Sequence, residues 1–127
     1  MSTETTRSAI VLFGHGARDP EWAGPMRRLA DSIRAQAPGQ EVALAFLEFM
    51  SPTLPEAIEQ FIAAGATRVT VVPVFLAQGG HVRRDVPEML ARVQQAHPGV
   101  VLRLAPALGE SDAVIAAMAR VALDGAS

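Results

Sequence analysis

The sequence predicts a parallel α/β sandwich: a four-stranded parallel sheet with helices on both faces. Three observations lead there. Short apolar runs recur along the chain, each continuous rather than alternating, as in strands buried on both faces. Between them lie stretches whose apolar residues repeat at helical spacing. Glycine and proline mark the junctions, so strand and helix alternate four times.

Ala9–Phe13 (AIVLF) is the first strand. Pro20–Ala37 follows as a helix, with Trp22, Met26, Leu29 and Ile33 on one stripe and Pro38-Gly39 as its stop. Val42–Phe49 (VALAFLEF) is apolar at alternate and intervening positions alike, so it reads as a second, interior strand. Ser51-Pro52 reads as a helix cap followed by proline at the first helical position. Leu54, Ile58, Phe61 and Ile62 form the next stripe, ending near Gly65. Val69–Phe75 (VTVVPVF) is the third strand. Its Pro73 lacks a ladder donor and favours an edge or a bulge, against the high β-branched content. Gly79-Gly80 leads into a helix through Val82, Val86, Leu90 and Val93, closed by His97-Pro98-Gly99. Val100–Leu104 is the fourth strand, and Asp112–Leu123 a last amphipathic helix through Ile115, Met118, Val121 and Ala122.

With 127 residues, half of them hydrophobic, the chain suits one domain over residues 1–127. Polar residues 1–7 are expected to be flexible. The net charge of −2 gives no basic footprint for nucleic acid. No apolar run is long enough for a signal peptide or a membrane span, which makes the cytoplasm the expected location. Cysteine is absent, which excludes disulfides, thiolate metal sites and cysteine nucleophiles. Lysine is absent too: all eleven basic residues are arginine. That excludes P-loop, Schiff-base and receiver-type lysine chemistry.

His15, Glu48 and His81 lie 33 residues apart, one β/α unit per step, each where an apolar run gives way to a turn. In a parallel α/β sheet all three then belong to the carboxyl edge, where such sheets bind ligands. Two imidazoles and a carboxylate there suit a divalent metal. Singly, each has an ordinary reading. The glycines around His15 serve a turn as well as they leave its imidazole open to a bulky ligand. Glu48 must reach solvent, a cation or a donor, because an unpaired buried carboxylate costs several kcal/mol. His81 follows two glycines at a helix start, where free N–H groups attract anions. Arg18, Arg83 and Arg84 add positive charge along the same edge. Phe49, Met50, Phe75 and Leu76 could wall the site or simply pack the core. His97, late in a helix, reads as structural.

Together, LFGHGARDP, FLEFMSPTLPEAI and PVFLAQGGHVRRDVPEML resemble the small-type sirohydrochlorin chelatases, members of the class II chelatases associated with cobalt insertion in the anaerobic cobalamin pathway. The likeness runs from about Ser8 to Leu123. It implies a flavodoxin-like fold, one half of the two-half chains of larger relatives. It also implies a homodimer with the tetrapyrrole sirohydrochlorin in the cleft between halves. On the family pattern, His15 and His81 bind the metal and accept pyrrole protons, and Glu48 is the acidic metal-site residue. Gly79, Gly80, Ser51, Arg18, Arg83 and Arg84 are the expected substrate-facing positions. The metal, Co²⁺, Fe²⁺ or Ni²⁺, is substrate, and no permanent cofactor is expected. A histidine-rich tail of some relatives has no counterpart here. Two other functions stay open on the same residues: a non-catalytic metal or tetrapyrrole carrier, and a metal-dependent hydrolase, although no G-x-S-x-G elbow is present.

Overall fold

The computed structural model describes residues 6–127. Strands β1 (Ser8–Gly14), β2 (Glu41–Phe46), β3 (Arg68–Pro73) and β4 (Val101–Leu104) form one parallel sheet in the order β2-β1-β3-β4. Helices α1 (Gly24–Gln36), α2 (Leu54–Ala63), α3 (Gly80–Ala96) and α4 (Asp112–Gly125) alternate with them. The chain steps from β1 to β2 on one flank and then returns to β3 on the other. That reversal opens a crevice beyond the carboxyl ends of β1 and β3, the ligand position of doubly wound sheets.

Alternate residues of the sheet feed two cores. On one face Val11, Phe13, Ala45, Val69 and Val71 pack with Leu54 and Ile58 of α2 and with Val86 and Leu90 of α3. On the other, Leu12, Val42 and Phe46 pack with Met26 and Ala30 of α1. The register couples the two flanks: Leu12 lies opposite Leu44 on β2 and Val72 on β3.

The second strand departs from its expected extent and place. It ends at Phe46, and β2 is an edge strand. Its sequence reads as interior because α1 and α2 both pack on it, so both faces are largely covered although the strand lies at the edge. Pro73 is buried at the last position of β3, an interior strand. The Val74 N–H donates to the Phe13 carbonyl at 2.8 Å, so the missing donor of Pro73 faces the opposite flank. Pairing with β4 has already ended there, at Val71 and Leu104.

Helix starts differ as well. Pro20–Ala23 is a separate 3-10 turn, capped by the Asp19 carboxylate, which accepts from the Glu21 N–H. Thr53, not Ser51, caps α2. Its hydroxyl accepts from the Glu56 N–H, and the Glu56 carboxylate accepts from the Thr53 N–H at 2.8 Å. This reciprocal box satisfies two backbone donors at once. Arg7 bonds Thr67 and the Glu41 carboxylate, the latter at 2.7 Å, so it is anchored rather than loose. Residues 1–5 of the segment expected to be flexible lie outside the described residues. No helix among the described residues is long and apolar enough to cross a membrane.

Two outcomes follow. Ile58 is fully buried between α2 and the sheet, so Ile58→Ala is expected to cost about 2–5 kcal/mol in chemical denaturation. The backbone bond from Thr53, and then the Thr53 side chain, hold the Glu56 carboxyl below its ordinary value. A depressed carboxylate stabilises above its unfolded value and loses that stabilisation as pH falls through its folded value. Thr53→Ala is therefore expected to lower the melting temperature at neutral pH. The gap from the unaltered protein should narrow in acid, as read by thermal melts across a pH series.

Candidate metal-binding edge

Beyond their last paired residues β1 and β2 stay zipped together. The Leu47 N–H donates to the Gly14 carbonyl at 2.9 Å and the Glu48 N–H to the His15 carbonyl at 3.0 Å. The backbones of His15 and Glu48 are thus held side by side at the carboxyl edge. Glu48 lies past the strand in a solvent-exposed loop, so its carboxylate carries no burial cost.

The two glycines around His15 have reasons the sequence did not disclose. A Cβ on Gly14 would meet the Met26 sulfur at 2.5 Å, because α1 packs directly on the strand end. Gly16 has φ +89, and a Cβ there would lie 1.9 Å from the Glu48 carbonyl oxygen. Both glycines make room for the chain's own neighbours rather than for a ligand. The His15 ring stacks on Phe75, with centroids 4.3 Å apart and planes at 30°. Phe75 is in turn buried against Phe13, at 5.6 Å. A core aromatic pair therefore sets the position of an exposed imidazole.

His81 is the second residue of α3, exposed, at a start with no side-chain cap. Space around Gly79 and Gly80 is open, which keeps this backbone accessible. Arg83 and Arg84 are exposed on the same turn. The Arg18 guanidinium lies over the Phe49 ring, 5.1 Å from its centroid. Ser51 is exposed in the loop between β2 and α2. His15, Glu48 and His81 thus share one edge of the sheet. Among the described residues, however, no three His, Asp or Glu side chains are close enough to hold a metal ion together.

Phe75 and Met50 of the expected apolar wall belong to the two cores. Phe49 and Leu76 do face solvent, joined by Leu47. His97 sits at the other end of the sheet, where it pairs with Glu59 at 2.7 Å and ties α3 to α2. A groove of about 310 Å³ runs from the β1 and β2 ends between α2 and α3. Asp85, Met89 and Arg92 line it from α3, and Phe46, Leu54 and Pro55 from the other side. Sequence reasoning passed over the α3 residues. Their spacing of four and three puts them on one helical face, which was the available signal.

A family model, CbiX, matches residues 9–124. The chain belongs to the CbiX family. Among similar proteins, the sirohydrochlorin cobaltochelatase of Methanocaldococcus jannaschii is 39% identical over 89 residues, 70% of this chain and 62% of that protein. That of Methanococcus maripaludis is 43% identical over 82 residues, 65% of this chain and 57% of that protein. The aligned region thus spans about three-fifths of the length of these relatives. A CbiX protein from Marinobacter aquaeolei, described as putative in cobalamin biosynthesis, superposes with TM-score 0.80 at 32% identity. That match covers 93% of this chain and 96% of the other. The sirohydrochlorin chelatase SirB of Bacillus subtilis subspecies spizizenii, solved in complex with cobalt, gives TM-score 0.78 at 26% identity. It covers 94% of this chain but 51% of that one.

In this CbiX chain Gly16→Ala is expected to destabilise by more than about 1 kcal/mol, since both the backbone angle and the Glu48 carbonyl oppose a methyl group. Amide exchange at Leu47 and Glu48 should accelerate as the zipper opens, a change that hydrogen-exchange mass spectrometry reads directly.

Proposed function

We propose that this CbiX protein inserts a divalent metal ion, Co²⁺ or Fe²⁺, into sirohydrochlorin, serving cobalamin or sirohaem biosynthesis in the cytoplasm. One observation carries the reading. The two histidines and the glutamate of the family motifs are exposed at a single sheet edge, next to an apolar rim and three arginines. The ion pairs among the described residues, Arg7–Glu41, Arg34–Asp31 and His97–Glu59, use none of the three. The names of the similar proteins support the same reading.

The chemistry needs little else. Insertion exchanges two pyrrole N–H protons for one divalent cation, so the protein must present the metal loosely and accept protons. Neutral imidazole does both near neutral pH. His15 and His81 bind the metal and take up the protons, with Glu48 as a further ligand or acceptor. A sparse donor set leaves coordination positions for the macrocycle nitrogens. Phe49, Leu47 and Leu76 meet the apolar ring. Arg18, Arg83, Arg84 and the Ser51 hydroxyl meet its carboxylates, and Gly79 and Gly80 let the backbone approach. The chain acts as one domain over residues 1–127 and as a homodimer, with two such edges around one cleft. No nucleic acid, membrane or resident cofactor takes part. Ni²⁺ insertion is the variant of this reading that the same donor set allows.

Anaerobic insertion of Co²⁺, Fe²⁺ and Ni²⁺ into sirohydrochlorin, followed by absorbance, tests it. The unaltered protein should accelerate insertion over the spontaneous rate and rank the metals. The His15→Ala/His81→Ala double variant should lose roughly 100-fold or more of that acceleration. Tight tetrapyrrole binding without acceleration would instead make the protein a carrier.

A further inference from the structure

Among the described residues, the positive backbone φ angles belong to three glycines, Gly16, Gly39 and Gly65, and to Phe49 at φ 68. A bulky side chain is an outlier in this left-handed region. Such strain persists only where the surroundings impose it. The loop after β2 does so. Leu47 and Glu48 are tied by their N–H groups to Gly14 and His15, and the Phe46 N–H donates to the Pro52 carbonyl at 2.9 Å. The chain must therefore reverse between Glu48 and Pro52.

Glycine would make that reversal without strain. Core packing does not account for a phenylalanine there, because Phe49 is 57% exposed and belongs to neither core. What its ring does touch is a cation: the Arg18 guanidinium lies over it, 5.1 Å from the centroid.

Arg18 is held differently from the paired arginines. Arg7 and Arg34 meet the carboxylates of Glu41 and Asp31. Arg18 enters none of the ion pairs among the described residues. Its neighbour Asp19 is turned away, accepting from the Glu21 N–H. A carboxylate partner would neutralise the guanidinium and occupy its N–H donors. A ring face attracts the cation yet leaves those donors for an incoming acceptor. The place matters as well: Phe49 directly follows Glu48, and Arg18 lies just beyond His15 in sequence.

We infer that Phe49 is a positioning residue, whose strained, exposed ring holds the Arg18 guanidinium un-neutralised at the metal edge to receive one carboxylate of the tetrapyrrole. The inference rests on the tetrapyrrole reading of the site and specifies how its anionic rim is met. A fork already in place loses less freedom on binding than a loose arginine does.

Sirohydrochlorin binding to the full chain tests it, read by quenching of the sole tryptophan, Trp22, which packs on Phe46 near the same edge. Phe49→Leu should raise the dissociation constant about tenfold, and Phe49→Tyr should restore it. Phe49→Leu removes no charge, yet it should flatten the salt dependence of binding as Arg18→Ala does. In the Phe49→Leu background, Arg18→Ala should cost much less than in the unaltered chain. Phe49→Gly should bind as weakly as Phe49→Leu and melt no lower than the unaltered protein, since it relieves the backbone. An unaltered chain that does not bind sirohydrochlorin overturns the tetrapyrrole reading and this role together. Binding that is unchanged in Phe49→Leu and Phe49→Gly, or fully additive costs of the Phe49 and Arg18 substitutions, overturns the positioning role alone.

Discussion

Everything at the candidate edge depends on β1 being paired on both sides. β2 and β3 flank it in parallel register, so all three chains leave the sheet at one place. The hydrogen bonds then continue past the strand ends, carrying Glu48 alongside His15. Phe75, just beyond β3, supplies the surface on which the His15 ring rests. The edge is therefore an extension of the sheet, and its backbone is as fixed as the ladder below it.

The fold was legible because its signals are additive. Four apolar runs and four helical stripes point to the same layers, and an error of a few residues in one leaves the others intact. The missteps share a cause: residues whose local reading is altered by something distant. β2 reads as interior because helices cover an edge strand. Pro73 looked misplaced until the short β4 explained where its missing donor points. Thr53 and Glu56 form a box that a preceding Ser-Pro pair mimics. Each was decided by tertiary packing that no window of sequence contains.

The edge was partly legible. A 33-residue spacing placed His15, Glu48 and His81 on one side of the sheet, since the β/α unit sets that period. The glycines around His15 were noticed, and the turn reading holds at Gly16, with φ +89, but their packing partners were not foreseen. Their space is filled by Met26 and by the Glu48 backbone, partners 12 and 32 residues from those glycines. The groove between α2 and α3 escaped notice because Asp85, Met89 and Arg92 look like an ordinary solvated helix face. For α4 the stripe was seen, but the amphipathic pattern suggests a buried face, whereas no residue of this helix is buried.

The strand order also governs the timing of assembly. β1 precedes the other three described strands in the chain, and its core residues Val11, Leu12 and Phe13 are among the most completely buried in the molecule. Its second neighbour, β3, lies about sixty residues further along, as in the pairing of Ala9 with Val69. Such a non-local closure is slow relative to helix formation. During synthesis the nascent chain therefore carries this strand with one flank open until β3 has been made, and α1, which precedes β3 and packs on β1 in the complete fold, is the element available to cover one side of it.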